Sequence, residues 1–219
     1  MYSSGPAPAV KVRTMSENQG HWDKVYATKA ETEVSWYQPV PEVSLRLIAA
    51  AAPDKDAVIL DVGAGASHLP DALITAGYRD LILLDISRAA LDKTKARLAG
   101  SPARLRYLVE DMRDWQPDVT VDVWHDRAAL HFLTAPEDRK AYRRALLRAV
   151  ASGGQVILGT FALDGPERCS GLPVQRYDAA ALQAFLGDDF ALEEAFTSDH
   201  QTPAGGYQRF QFARFRRLR

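Results

Sequence analysis

Residues 58–67 read Val-Ile-Leu-Asp-Val-Gly-Ala-Gly-Ala-Ser and decide the fold of this chain. The segment begins with an apolar run, which is typical of a strand covered on both faces in a parallel sheet. Gly63 and Gly65 follow this run, and glycines in such a turn let a ligand approach the main chain closely. Ser67 is predicted to cap the next helix and Gly77 to end it. The stretch therefore predicts a strand, a glycine turn and a helix of the nucleotide-binding kind.

A second apolar run, residues 81–84, ends in the acid Asp85. At the end of the next parallel strand, this carboxylate can accept hydrogen bonds from ribose hydroxyls. The dinucleotide fingerprint needs a third glycine, but this chain has His68 at that position. An adenosine cofactor without a phosphate fits better, and S-adenosylmethionine (SAM) is such a cofactor, with a carboxylate that suits a helix N-terminus. A nicotinamide oxidoreductase built on the same sheet remains an alternative.

These segments resemble the motifs of the class I SAM-dependent methyltransferases. Residues 59–65 resemble the first motif of that family, residues 84–87 its second, and residues 110–112 the turn that reads the adenine. The likeness covers roughly residues 57–162 and extends more loosely to the rest of the chain. It implies a cofactor site made of Asp61, Gly63, Ala64, Gly65, Asp85, Ile86, Asp111, Met112 and His125.

The alternation of predicted strands and helices indicates an α/β fold with right-handed crossovers and a mostly parallel sheet. A final antiparallel pair is predicted near residues 190–197 and 206–215. The resemblance implies a doubly wound, seven-stranded sheet in the order 3-2-1-4-5-7-6, with helices on both faces. We expect a single domain over residues 16–219 whose N-terminal helices, at about 16–53, form a lid. Residues 1–15 are expected to be a flexible leader.

Capping patterns in the sequence predict where several helices begin. Thr134 and Glu137 form a capping-box pattern ahead of a helix that should run to about Ala151. Ser87 is predicted to begin the helix after the second strand, and Asp178 to cap a short helix near the C-terminal hairpin.

Three segments are predicted to line the acceptor pocket. The first contains Trp36 and Tyr37, which either cover the methionine end of the cofactor or anchor the N-terminal helices. The third is the long connection 162–177, where Arg168 and Arg176 could hold an anionic acceptor. The alternative for this loop is that its own salt bridges stabilise it.

The second segment is His125-Asp126-Arg127, at the carboxyl end of the fourth strand. His125 and Asp126 are the catalytic candidates, because a histidine can act as a base near neutral pH. Two other interpretations stay open: His125 as a polar packing residue, and an ion pair between Asp126 and Arg127 that shapes the cleft. Arg127 is also a candidate substrate residue.

Composition restricts the location and partners of the protein. The chain has 219 residues, 47% of them hydrophobic, and a net charge of −1, so its overall charge does not attract nucleic acid or an anionic membrane. The single cysteine, Cys169, excludes an internal disulfide and suits a reducing cytoplasm. No stretch approaches the roughly 20 apolar residues of a membrane span. The basic C-terminal arginines are interpreted as belonging to a solvated final strand. We expect a cytoplasmic protein.

The functional hypothesis is transfer of a methyl group from SAM by direct in-line displacement, without a metal ion. The protein would mainly align donor and acceptor in a dry cavity. A small-molecule acceptor is favoured, since motifs typical of base- or amide-nitrogen methylation are absent after the fourth strand. A protein side chain, of the lysine type, is the alternative acceptor, and a non-catalytic SAM-binding protein is a further alternative.

Overall fold

A seven-stranded sheet forms the centre of the computed structural model, which describes residues 17–219. The strands are β1 (Val58–Val62), β2 (Asp80–Asp85), β3 (Arg104–Val109), β4 (Val121–Arg127), β5 (Val150–Phe161), β6 (Phe190–Gln201) and β7 (Tyr207–Arg217). The helices are α1 (Glu17–Thr28), α2 (Glu42–Ala51), α3 (Leu69–Thr75), α4 (Arg88–Arg97), α5 (Pro136–Ala149) and α6 (Ala179–Leu186). Short 3-10 turns cover Glu31–Glu33 and Leu130–Phe132. The predicted leader, residues 1–15, lies outside the described residues.

The strand order is β3-β2-β1-β4-β5-β7-β6, which confirms the predicted topology. The first five strands of this order run parallel, and β7 is antiparallel to both β5 and β6. A separate two-residue pair joins Arg168–Cys169 to Leu172–Pro173. The order reverses between β1 and β4, and ligands of such sheets bind in the crevice at this point.

Helices cover both faces of the sheet because successive strand residues point in opposite directions. On one face, Leu60 and Trp124 belong to a core cluster completed by residues of α5 and α6. On the other face, Ile59 and Val123 belong to a cluster completed by residues of α2, α3 and α4. The central strands are buried from both sides, as their continuous apolar runs predicted.

The predicted cap of α5 is wrong, since its N-cap is Ala135 rather than Thr134. The N-cap of α3 is His68, one residue after the predicted Ser67, although the Ser67 hydroxyl accepts the N–H of Leu69 at 3.3 Å. A proline lies in the first turn of each helix, where its restricted φ favours helix initiation. The caps at Ser87 and Asp178 are confirmed, since each side chain accepts the N–H of the residue three positions later.

The fourth strand is longer than predicted and brings the polar segment 125–127 into the sheet itself. The sequence indicated a strand ending at Trp124, whereas β4 continues to Arg127. Its pairing with β1 places His125 beside Asp61, and Asp126 beside Val62. These side chains therefore alternate between the two faces rather than converging on one side of a loop.

The first helix lies over the glycine turn and is fastened to α4. The carboxylate of Asp23 accepts hydrogen bonds from Ser87 Oγ at 2.7 Å and from the N–H of Ala89 at 3.1 Å. Tyr26 packs against Ala66 and Ala90 in a small cluster of its own. Within residues 17–219, no helix combines the length and the apolar character needed to pass through a bilayer.

Candidate active site

The turn after β1 is shaped by two glycines in left-handed conformations. Gly63 has a φ of 68° and Gly65 a φ of 56°, values that non-glycine residues adopt only at a cost. A Cβ added to Gly63 would lie 2.7 Å from the Cβ of Ala129, and one added to Gly65 would lie 2.4 Å from Tyr26 Oη. Both positions therefore require glycine for conformation and for space.

The carboxylate of Asp85 is hydrogen-bonded to the glycine turn. One carboxylate oxygen accepts the N–H of Gly65 at 2.8 Å, and the other accepts the N–H of Ser87 at 2.7 Å. Burial raises the pKa of Asp85 to about 6, against the lowering effect of these two hydrogen bonds. Each oxygen keeps a further lone pair, so the carboxylate can still accept hydrogen bonds from a ligand.

A cavity of about 920 Å³ begins at Asp85 and the glycine turn. Acidic side chains and Met112 line one end, and aromatic side chains line the other. Its lining residues include Trp22, Tyr26, Trp36, Gly63, Asp85, Ile86, Glu110, Asp111, Met112, Arg113, Arg127, Ala129, Phe132 and Cys169.

The acidic end includes the turn predicted to read the adenine. Asp111 accepts a hydrogen bond from Arg113 Nε at 2.9 Å, and this interaction raises the pKa of Arg113. The pairing fixes the Asp111 carboxylate at the cavity wall. Met112 is buried beside it and provides an apolar surface for a flat ring.

A second cavity, of about 610 Å³, lies between the glycine turn and α2. Tyr37, Ser44, Asp61, His68 and His125 are among its lining residues. It shares four residues with the first cavity: Tyr26, Trp36, Gly63 and Arg127. The two cavities are therefore neighbouring parts of one crevice at the end of the sheet.

His125 is fixed by two buried partners. Its Nδ1 lies 2.7 Å from the Asp61 carboxylate and its Nε2 lies 2.9 Å from Ser44 Oγ. All three residues are less than 5% exposed. To take a proton from an acceptor, the ring would first have to give up one of these bonds. The role of His125 as a base stays a prediction.

Asp126 points to the opposite face of the sheet. It accepts hydrogen bonds from Tyr142 Oη at 2.7 Å and from the N–H groups of Ala129 and Leu130 at 2.9 and 3.0 Å. Burial raises its pKa to about 6. The alternative of an ion pair between Asp126 and Arg127 is wrong, because neighbouring residues of a strand point to different faces. Its catalytic role is not supported by any contact with the cavities.

Arg127 lines both cavities. Its Nη1 donates to the carbonyl oxygen of Trp36 at 3.1 Å, and its guanidinium lies 4.8 Å from the ring centre of Phe210. Its Nη2 is buried and has no hydrogen-bond partner among residues 18–219. Burial lowers its pKa to about 10, so it stays positively charged at neutral pH.

The structure brings three of the five predicted substrate residues to the crevice. Trp36, Tyr37 and Arg127 line it. Arg168 instead donates to the carbonyl oxygen of Gly171 within its own loop, and Arg176 pairs with Glu167 at 3.1 Å. This supports the alternative of a loop stabilised by its own polar contacts.

Several residues of the crevice, Ser44 among them, were missed from the sequence, whereas Cys169 lies in a connection that was predicted to line it. Ser44 is a polar residue on the inward face of α2, one turn before the buried Leu47 and Ile48, and this position was its only signal. Cys169 belongs to the long connection and reaches the first cavity, where burial raises the pKa of its thiol to about 11. It is therefore a neutral thiol near pH 7.

Comparisons with known proteins agree with this architecture. Residues 59–154 match the family described as "Methyltransferase domain". The eEF1A lysine and N-terminal methyltransferase of Bos taurus is 28% identical over 138 residues, which are 63% of this chain and 19% of that protein. The tRNA U34 carboxymethyltransferase of Shewanella loihica is 26% identical over 168 residues, 76% of this chain and 48% of that protein. The chain thus spans about a fifth to a half of the length of these relatives.

One solved structure shows how fully the fold is shared. The 1,6-didemethyltoxoflavin-N1-methyltransferase of Burkholderia thailandensis, with bound 1,6-didemethyltoxoflavin and S-adenosylhomocysteine (SAH), superposes with a TM-score of 0.68 and 16% identity. The superposition covers 96% of this chain and 93% of that one. Residues 59–154 thus match a methyltransferase-domain family, and the chain as a whole shares the fold of a solved SAM-dependent methyltransferase, as its motifs predicted.

Proposed function

We propose that the protein binds SAM in the first cavity and transfers its methyl group to a small-molecule acceptor. The observation that carries the proposal is the continuity of this cavity, which runs from Asp85 and the glycine turn to an aromatic end. The end of the cavity near Asp85 suits an adenosine, and the aromatic end offers space for an acceptor next to it.

The residues of the crevice fit the cofactor chemically. The buried Asp85 carboxylate would accept hydrogen bonds from ribose hydroxyls, and the two glycines give the turn beside it a left-handed conformation that brings the main chain to the cavity wall. Asp111, Met112 and Ile86 would hold the adenine, while Ala64 and Asp61 border the second cavity, on the side suited to the methionine group. When bound, SAM supplies a methyl group already activated by its sulfonium charge.

Because SAM itself supplies the activated methyl group, the main contribution of the protein would be to position the reactants and exclude water. Trp22 packs edge-on against Trp36 at 5.8 Å and against Phe132 at 5.0 Å between ring centres. These rings line the aromatic end of the cavity, and Trp22 belongs to helix α1. An apolar end holds donor and acceptor close together and limits their contact with water. Flat aromatic walls of this kind suit a small acceptor.

The second candidate is methylation of a protein side chain. It is favoured by the eEF1A lysine and N-terminal methyltransferase, which is similar over 138 residues. A lysine would have to reach the aromatic end and lose its proton there, and His125 would then be its nearest candidate base. A non-catalytic SAM-binding protein remains the third candidate, since cofactor binding alone does not require an acceptor.

Transfer of labelled methyl groups tests the proposal. The purified protein would be incubated with methyl-labelled SAM and separate panels of small molecules, peptides and tRNA, with detection of labelled product and SAH. We expect SAH formation that depends on a small molecule and is reduced in the Asp85→Asn variant. Transfer only to peptides or tRNA would contradict the small-molecule proposal. Tight SAH binding without transfer to any panel would favour the non-catalytic candidate.

A further inference from the structure

Arg127 lines the crevice and has a hydrogen-bond donor that the protein leaves unused. Its Nη1 bonds to the Trp36 carbonyl oxygen, whereas its Nη2 is buried and has no partner among residues 18–219. An unsatisfied donor on a buried charged group is costly, so the expected complement is a ligand atom that accepts from it. The position of Arg127 in the walls of both cavities makes it available to such a ligand.

No ion pair neutralises this charge. Among residues 18–219, Arg127 makes no ion pair; the nearby Asp61 carboxylate favours the charged form of Arg127 but is itself bonded to His125. Asp126 points to the other face of the sheet, where Tyr142 holds it. The neighbouring Cys169 has a pKa of about 11 and is uncharged near pH 7. The crevice therefore keeps a positive group without a directly paired carboxylate among the described residues.

We infer that Arg127 anchors the methyl acceptor by an anionic group, and that the acceptor is a small carboxylate with a flat, apolar body. The aromatic rings of Trp36 and Phe132 suit the body, and the forked guanidinium suits a carboxylate. This inference rests on the proposed function. It also argues against a protonated amine as acceptor, since that group would face both Arg127 and the sulfonium of the cofactor.

Matched acids and amides test the inference on protein saturated with SAH. Benzoate would be compared with benzamide, and indole-3-acetate with indole-3-acetamide, by calorimetry or by NMR titration. We expect the acids to bind about tenfold or more tightly than their amides. Arg127→Gln should remove this preference, and Arg127→Lys should retain part of it. Arg168→Gln is the control, because that arginine is exposed and outside both cavities.

The inference would be overturned if the wild-type protein did not bind the acids more tightly than the amides. It would also be overturned if Arg127→Gln kept the preference for acids. Thermal unfolding of each variant shows whether it is folded. The Arg127→Lys variant keeps the charge and serves as the comparison if Arg127→Gln does not fold.

A second measurement separates the acceptor from the cofactor as the source of the anion. SAH has a carboxylate, whereas 5′-methylthioadenosine lacks the whole amino-acid part. If Arg127→Gln weakens binding of SAH but not of 5′-methylthioadenosine, the anion at Arg127 belongs to the cofactor and the inference is wrong. Similar effects on both nucleosides support it. Failure of wild-type protein to bind SAH would refute the proposed function instead, and the acid–amide comparison would then decide the role of Arg127 in unliganded protein.

Discussion

Asp85 is a buried carboxylate whose partners are main-chain N–H groups. Gly65 and Ser87 donate to it, and it has no ion pair within residues 18–219. Burial without a cation explains why its pKa is raised to about 6. Such a group links the glycine turn to the second strand and remains available to a ligand.

The change Asp85→Asn should weaken SAH binding. Loss of charged hydrogen bonds to the ribose predicts a cost of about 1–3 kcal/mol, measured by calorimetry near pH 7.5. Asp80→Asn is the control, since Asp80 lies at the other end of β2 and pairs with Arg104 and Arg106. An equal loss of affinity in both variants would contradict the ribose assignment.

The pH dependence of SAH binding should report the same residue. Ribose hydroxyls donate best to the ionised carboxylate, so affinity should be full above the raised pKa and fall as the pH drops through about 6. In the unliganded protein, the folding stability that depends on Asp85 changes with pH in the opposite direction. Folding favours the protonated acid, so stability from this group is lost as the pH rises from 3.8 towards 6. A binding profile of Asp85→Asn that matches the wild-type profile would exclude Asp85 as the cause.

At the scale of elements, β4 divides three consecutive polar residues between two sites. His125 and Arg127 point towards α2 and the crevice, whereas Asp126 points towards α5. On the α5 side, Trp124 Nε1 donates to Tyr142 Oη at 2.8 Å, and this hydroxyl donates onward to Asp126 at 2.7 Å. The chain of bonds joins β4 to α5 without any role in the crevice.

Removing the hydroxyl of Tyr142 tests this link. Tyr142→Phe leaves the buried Nε1 of Trp124 without its partner and removes one of the hydrogen bonds to Asp126, so we expect a loss of about 1–3 kcal/mol in the free energy of unfolding. Chemical denaturation measures it. Tyr207→Phe is the matched control, because Tyr207 is 69% exposed and should change stability little. An unchanged midpoint for Tyr142→Phe would show that these bonds contribute no net stability.

The glycine turn and α1 can be tested together. Gly65→Ala should cost more stability than Gly100→Ala, although both glycines have positive φ. The left-handed conformation costs each variant about 1–2 kcal/mol, but only Gly65 also has Tyr26 Oη in the space of its new Cβ. We expect Gly65→Ala alone to weaken SAH binding, as measured by calorimetry beside unfolding curves. Equal effects of the two changes would mean that the contact with α1 is unimportant.

At the scale of the whole molecule, the N-terminal segment completes the crevice. Asp23 lies at the N-terminus of α4, where a carboxylate is favoured by the helix dipole and by free N–H groups. Through this contact α1 brings Trp22 and Tyr26 over the cavity. The affinity of the site for its ligands should therefore depend on a helix that contributes little to the central sheet.

Asp23→Ala should loosen α1 while leaving the sheet intact. We expect faster hydrogen exchange in α1, weaker SAH binding, and little change in exchange of the central strands. Lys24→Ala provides the control, because Lys24 is an exposed neighbour on the same helix. Unchanged exchange in α1 after the Asp23 substitution would contradict its anchoring role.

Three of the C-terminal arginines, Arg209, Arg214 and Arg216, form ion pairs. Arg209 pairs with Asp199 at 2.8 Å, and both Arg214 and Arg216 pair with Glu193 on the adjacent strand. Exposed pairs of this kind contribute little stability. Their effect is to neutralise the positive charge of the closing hairpin.

The amino-acid sequence by itself determined the local features of this protein. The apolar run and two glycines at 58–67, the acid at Asp85 and the caps at Ser87 and Asp178 predicted the first strands, the turn and two helix starts, because such features depend on residues close together in the chain.

Only the tertiary structure decided the partners of each side chain in the crevice. The pairing of β1 with β4 placed Asp61 beside His125, and the docking of α2 added Ser44. The alternation of β4 separated Asp126 from Arg127 and left the Nη2 of Arg127 without a partner. These contacts join residues distant in sequence, and their geometry depends on strand register and helix docking, which local patterns do not specify.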